Sequence, residues 1–86
     1  MESLKNLLNS ICKELVDNPS EVNVYLNSSG STYFFNIVCS DKEFGKIIGK
    51  NGDIIKCLKR LSLAIGSKHK VKVFLEAETS GDTLLS

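Results

Sequence analysis

Two apolar stripes of helical spacing lie between Phe44 and Ile65, and only four residues, Gly49-Lys50-Asn51-Gly52, separate them. The first stripe is Phe44, Ile47 and Ile48; the second is Ile54 or Ile55, then Leu58, Leu61 and Ile65. So short a joint forces the two helices to lie beside each other, and a glycine at each end of it lets the backbone take conformations other residues avoid. Ser40 and Glu43 have the spacing of a capping box, which predicts a helix start near Asp41, and Gly66 has the position of a C-terminal cap for the second helix.

The remaining segments must supply what this helical pair packs on. Leu4, Leu7, Leu8, Ile11 and Leu15 recur at helical spacing until Asp17-Asn18-Pro19 interrupts them, predicting an amphipathic helix over about 3–16. Val22, Val24 and Leu26, then Tyr33, Phe35, Ile37 and Cys39, alternate as strands do, with Asn27-Ser28-Ser29-Gly30 as the expected hairpin loop. Val71, Val73 and Leu75 predict a third strand, with the polar residues from Glu76 onward expected to fray. The order is therefore α-β-β-α-α-β, an α+β chain. A crossover through two helices is long enough to bring the third strand back parallel to the second, with three helices covering one face of a three-stranded sheet.

A chain of 86 residues holds one domain and a small core. The expected division is a single folded unit over 1–78 and a polar, flexible tail over 79–86. No apolar run approaches the roughly 20 residues that span a bilayer, which predicts a cytoplasmic protein with no membrane contact. Cys12, Cys39 and Cys57 are odd in number and sit in or beside apolar runs, the pattern of reduced core thiols. His69 has no Cys or His near it at metal-ligand spacing, and no carboxylate pair or Cys-His pair has catalytic spacing. The expectation is a binding module, not an enzyme, with no metal, cofactor or small-molecule substrate.

The charge is unevenly distributed. The net is +1, yet residues 42–72 carry nine Lys or Arg against Glu43 and Asp53, while 1–41 and 73–86 each sum to −3. Such a segment favours a polyanion. Isolated lysines such as Lys59 and Lys68 are equally consistent with solvated helix faces. A Walker-type phosphate loop is excluded, because Gly45 and Gly49 are too close and Asn51 follows Lys50 where Ser or Thr is required. Two readings of the turn stay open: glycines that only cap and turn the helices, and glycines that let a phosphate backbone approach Lys50 and the amides of the next helix. Tyr33, Phe34, Phe35 and Phe74 fall in strands and are expected mostly in the core.

Ile47-Ile48-Gly49-Lys50-Asn51-Gly52-Asp53-Ile54-Ile55 resembles the signature of KH domains, an aliphatic pair followed by G-x-x-G and further aliphatic residues. The element order resembles the type II KH arrangement, and residues 2–76 resemble the small stand-alone bacterial KH proteins of the KhpA type. The resemblance implies a KH-like domain that binds single-stranded RNA in a groove between the paired helices and a sheet edge, the loop holding about four nucleotides of backbone. Gly49, Lys50, Asn51 and Gly52 carry over as the clamp and Lys46 and Lys56 as flanking phosphate contacts. Ile47 or Ile48, and Ile54 or Ile55, would divide between core and groove. It further implies a second KH-containing protein or a second copy as partner, and post-transcriptional regulation as the role. Asn51, where related loops often carry a second basic residue, and Asp53, beside the phosphate path, depart from the pattern; they keep open a KH-fold protein–protein interaction module with weakened RNA binding.

Overall fold

The computed structural model describes residues 1–80; the tail expected over 79–86 lies, from residue 81 on, outside the described residues. Helix α1 (Glu2–Leu15) leads through a 3-10 turn at Pro19–Glu21 into strand β1 (Val22–Ser29) and strand β2 (Thr32–Cys39). Helix α2 (Asp41–Ile48), a 3-10 turn at Lys50–Gly52, helix α3 (Asp53–Lys68) and strand β3 (Lys72–Thr79) follow. The sheet order is β1-β2-β3, with β1 antiparallel and β3 parallel to β2, so the two-helix crossover does return the chain parallel. α1 packs on β1 and α3 on β3, while α2 touches both α3 and β3. The helices thus enclose one face of the sheet, as the alternation predicts, in a single α+β domain.

The core draws on every element: Leu4, Leu8 and Cys12 from α1, Val22 and Val24 from β1, Phe35, Ile37 and Cys39 from β2, Ile47 from α2, Leu58 from α3, and Val73 and Leu75 from β3. Burial pushes the Cys12 thiol up to about 11, with nearby Cys39 adding to the effect. Cys57, expected in the core with the other two, is exposed on α3.

Five further expectations are corrected. The hairpin loop is the two-residue turn Gly30-Ser31, with Gly30 at φ +60° allowing the tight reversal, so β1 continues through Asn27, Ser28 and Ser29. β3 does not fray at Glu76; it pairs with β2 as far as Thr79 opposite Cys39, and ladder hydrogen bonds outweigh the polar composition of its end. Gly66 does not cap α3, which continues to Lys68. It lies buried where a Cβ would stand 2.6 Å from Val73 Cγ2 and 3.1 Å from the Val71 carbonyl oxygen. That close approach also sets the phase of the helix, which buries Leu58, Ser62 and Gly66 and leaves Leu61 and Leu63 exposed. Phe34 and Phe74 are exposed, stacked with ring centroids 5.5 Å apart on the sheet face that the helices leave open.

The capping box is the fifth. Ser40 precedes α2, but its hydroxyl donates to Glu21 Oε1 at 2.7 Å, and Glu43 turns away from it. The Glu43 carboxylate, fully buried, accepts from the backbone amides of Asp17 (3.2 Å) and Asn18 (3.0 Å) and from Asn18 Nδ2 (2.9 Å). Those donors belong to the exposed residues of the α1–β1 connection, and each takes an acceptor. A charged one fixed on α2 satisfies all three, which a reciprocal cap at an exposed helix end could not match. Burial raises the Glu43 carboxyl, and the hydrogen bonds from Asn18, Asp17 and Lys46 more than reverse this, holding it below its usual value.

Candidate nucleic-acid interface

The turn between α2 and α3 has positive φ at three of its four residues: Gly49 at +80°, Asn51 at +57° and Gly52 at +73°. The two glycines answer different requirements. A Cβ on Gly49 would lie 2.6–2.9 Å from Ile54 Cγ1, Cβ and backbone nitrogen, so Gly49 is fixed by contact as well as by φ. A Cβ on Gly52 would meet only Ile55 Cγ2 and Lys56 Cε, both at 3.9 Å, so Gly52 is fixed by φ and leaves its surface open. Asn51 belongs to the small set of side chains that tolerate the left-handed region at low cost.

The turn presents Lys50 and Asn51 fully to solvent, and no side chain caps the N-terminus of α3. The Asp53 amide donates to the Lys50 carbonyl and the Ile54 nitrogen is packed close against Gly49, so what this end offers an anion is the positive pole of the helix dipole. Lys56 lies one turn along α3, its stem running beside Gly52. Lys46 is committed differently: its ammonium sits 3.5 Å from Asp17 Oδ2 and 3.4 Å from Glu43 Oε1, and Glu43 in particular raises its pKa. It anchors α2 to the α1–β1 connection. The aliphatic pairs divide. Ile47 is wholly buried, whereas Ile48 is half-buried outside the core cluster; Ile54 and Ile55 are half-buried against the core, Ile54 beneath Gly49 and Ile55 beside Gly52.

A groove of about 220 Å³ lies farther along α3, beside β3. Lys59 and Leu63 line it from the helix, and Val73, Phe74, Leu75 and Glu76 from β3, whose outer edge pairs with no strand. Gly52, Lys56, Lys59 and Leu63 follow the i, i+4, i+7, i+11 spacing of one helix face, so a single stripe joins the turn to the groove. Sequence reasoning left Lys59 as an undirected surface charge and missed Leu63, Phe74 and Glu76. The stripe spacing was the signal that could have found the first two. Among the described residues no cluster of His, Cys, Asp and Glu could hold a metal, and no helix is long and apolar enough to cross a membrane.

An αββααβ domain with a mixed sheet and a G-x-x-G turn between its paired helices is a KH domain of the type II order. The family profile described as the KH domain of KhpA and KhpB matches residues 5–77, and the chain belongs to that family. Relatives named RNA-binding protein KhpA include those of Chlamydia caviae, 37% identical over 85% of this chain and 94% of the relative, and Listeria monocytogenes, 34% identical over 85% and 96%. The Aquifex aeolicus relative of the same name is 37% identical over 88% of this chain and 96% of its own. Among solved structures, a variant of Aquifex aeolicus Era bound to GDP and an aluminium fluoride superposes with a TM-score of 0.58. It is 17% identical, covering 88% of this chain and 29% of that one, a likeness of fold.

Proposed function

We propose that this protein binds single-stranded RNA, holding the sugar–phosphate backbone at the Gly49-Lys50-Asn51-Gly52 turn and laying the adjoining bases along α3 and the β3 edge. The observation that carries this reading is the turn itself: a conformation held by positive φ at three residues, solvent-facing Lys50 and Asn51, and the positive end of the α3 dipole behind them. Lys56 adds a second cation, and the names of the KhpA relatives point to the same ligand. Ile48, and the outer surfaces of Ile54 and Ile55, give apolar contact to sugars and bases. RNA binding by one small module is weak, so pairing with another KH-containing protein or a second copy raises affinity through effective concentration. The biological setting that fits is post-transcriptional regulation in the cytoplasm.

The test is the double variant K50D/N51D. Asp tolerates the left-handed region, and both positions are exposed, so melting stays near wild type. Two acids replace a favourable charge at the phosphate, and affinity for a short single-stranded RNA drops by about tenfold or more. Wild-type protein prefers single-stranded RNA to a duplex of equal length, whose base edges are hidden. Unchanged affinity in the folded double variant moves the site elsewhere. Absence of RNA binding at low salt, with tight binding to another protein, makes the domain an interaction module.

A further inference from the structure

The sheet face that the helices leave open carries all three exposed aromatic side chains among the described residues: Tyr25, Phe34 and Phe74, at 52%, 44% and 50% exposure. Strand alternation places them on that face, and the register brings them together. Phe34 stands directly opposite Phe74, their rings stacked with an interplanar angle of 15°, and Tyr25 lies on the diagonal from Phe34, opposite Asn36. Asn27 completes the row of Phe34 and Phe74. Rings and amides therefore alternate across this face. Its hairpin end is bordered by cations that the turn between α2 and α3 does not use. Lys72 precedes Phe74 by two residues on the same face, and Lys70 sits in the connection just before it. That connection is tied to the hairpin, the Lys72 amide donating to the Ser31 carbonyl at 3.0 Å. Both lysines are exposed, and among the described residues the ion pairs are those of Lys46. The acids of this face, Glu76 and Glu78, lie toward the other end of β3.

We infer that this open face is a second RNA contact, on which unpaired bases stack against Phe34 and Tyr25 while Lys70 and Lys72 meet the adjoining phosphates. The inference rests on the RNA-binding reading above and adds to the turn a separate surface, across the sheet from the helices. An aromatic ring stacks on any base, and cations beside such rings follow the backbone of a single strand. The mutual stack leaves each phenyl its outer face, and that of the central-strand Phe34 turns toward β1 and its neighbours Asn27 and Tyr25. What favours a nucleic acid over a protein here is the company of the rings: amides that donate and accept at base edges, and two unpaired ammonium groups suited to phosphate. Helix α3, with 16 residues, spans about 24 Å between the turn and the Lys70–Lys72 end. The roughly four nucleotides that the turn holds therefore do not reach this face, whereas a longer strand occupies both and gains affinity through effective concentration.

The experiment uses fluorescence anisotropy with labelled oligouridylates of about four and about twelve nucleotides, each variant being compared with wild type on the same oligomer so that the number of binding registers cancels. Y25L/F34L keeps apolar bulk on the strands and removes the ring faces. It binds the short oligomer as wild type does and the long one about tenfold more weakly, within the range of about 5- to 150-fold for loss of one stacked base. K70N/K72Q removes the two charges, since Asn tolerates the left-handed φ of +59° at Lys70. For the long oligomer it lowers the magnitude of the salt slope by about 1.4, at ~0.7 per phosphate, and for the short one it leaves the slope unchanged. K50D/N51D weakens the short oligomer, and its residual binding of the long one is weakened further by Y25L/F34L. Should Y25L/F34L not fold, the salt slope of K70N/K72Q decides. Wild-type affinity for the long oligomer in both folded variants overturns the second contact, leaves the turn standing and leaves the open face to a protein partner. Equal weakening of both oligomers in folded Y25L/F34L overturns it too, because the effect then travels through the turn. No binding of either oligomer to wild type at low salt overturns both readings.

Discussion

Replacing glycine by alanine in the two helices of the G-x-x-G pair changes stability in opposite directions, and the sign is fixed by what surrounds each Cα. Gly45 lies inside α2, where a Cβ meets nothing within 4 Å. Alanine there gains the helix propensity that glycine lacks, about 0.8–1.0 kcal/mol. Gly66 lies inside α3 against β3, where the same Cβ would stand 2.6 Å from Val73 Cγ2, 3.3 Å from Val73 Cβ and 3.1 Å from the Val71 carbonyl oxygen. None of these can step aside. Val73 is buried and β-branched, hence confined at χ1, and Val71 is tied by its own amide to the Gly66 carbonyl at 2.9 Å. Overpacking costs about 1–3 kcal/mol and the upper end applies here, so after the propensity gain G66A loses about 1–2 kcal/mol. For a domain of this size that lowers the melting temperature by about 5–15 °C, while G45A raises it by about 4–8 °C. Thermal melts followed by far-ultraviolet circular dichroism measure both. G66A melting at or above wild type would show that α3 does not depend on this close approach, and the argument for the phase of the helix would fall with it.

The other predictions concern the charged groups. Glu43 has a folded pKa below its ordinary 4.5, so the stability it contributes is complete above that pH and is lost as pH falls through the lower folded value. Urea midpoints measured from neutral to acid pH should drop below pH 4.5 in wild type and do so less steeply in E43Q, which is less stable at neutral pH; parallel curves would remove Glu43 from the acid limb. If RNA is held as proposed, with Lys50 and Lys56 as the cations that meet phosphate at the turn, log Kd against log salt should have a slope of about 1.4 in magnitude, at ~0.7 per neutralised phosphate. K56A should halve that slope, whereas K46A, which breaks the contacts to Asp17 and Glu43, should lower the melting temperature and leave the slope alone. A K46A slope reduced as much as that of K56A would return Lys46 to the phosphate contacts.

The element order and the sheet topology could be read because they rest on periodicity, turn residues and connection lengths, all local in sequence. What could not be read depends on a neighbour distant in the chain. Ser40 and Glu43 have a capping-box spacing, but whether Glu43 reaches back or across is decided by amides at Asp17 and Asn18, more than twenty residues earlier. Gly66 has the position of a cap, and only the approach of Val73 makes it a packing glycine. Leu61 outweighs Ser62 on any hydrophobic count, yet the helix buries Ser62 because small residues let α3 come close to the sheet. Phe34 and Phe74 read as core because the alternation of a strand does not say which of its faces is covered when both carry aromatics. At the candidate site, the turn was legible from its glycines, while the division of Ile47 from Ile48 needed the rotation of α2, and the Glu76 side of the groove needed the pairing of β3.

These long-range contacts also decide how the charge of the 42–72 segment acts. Glu43 and Asp53 are its two acids. Glu43 is buried and surrounded by amide donors and Lys46, so its charge is compensated inside the domain and does little to offset the lysines around the turn. Asp53 occupies the first turn of α3, where the helix dipole favours an acid, and there it competes with any anion for the same positive end. The strain-tolerant Asn51 contributes no charge. The turn therefore holds its shape through φ and packing at Gly49, and draws its positive potential from Lys50, Lys56 and the more distant basic residues of α3. In the proposed function, a clamp built this way would fix where a phosphate sits without binding it strongly.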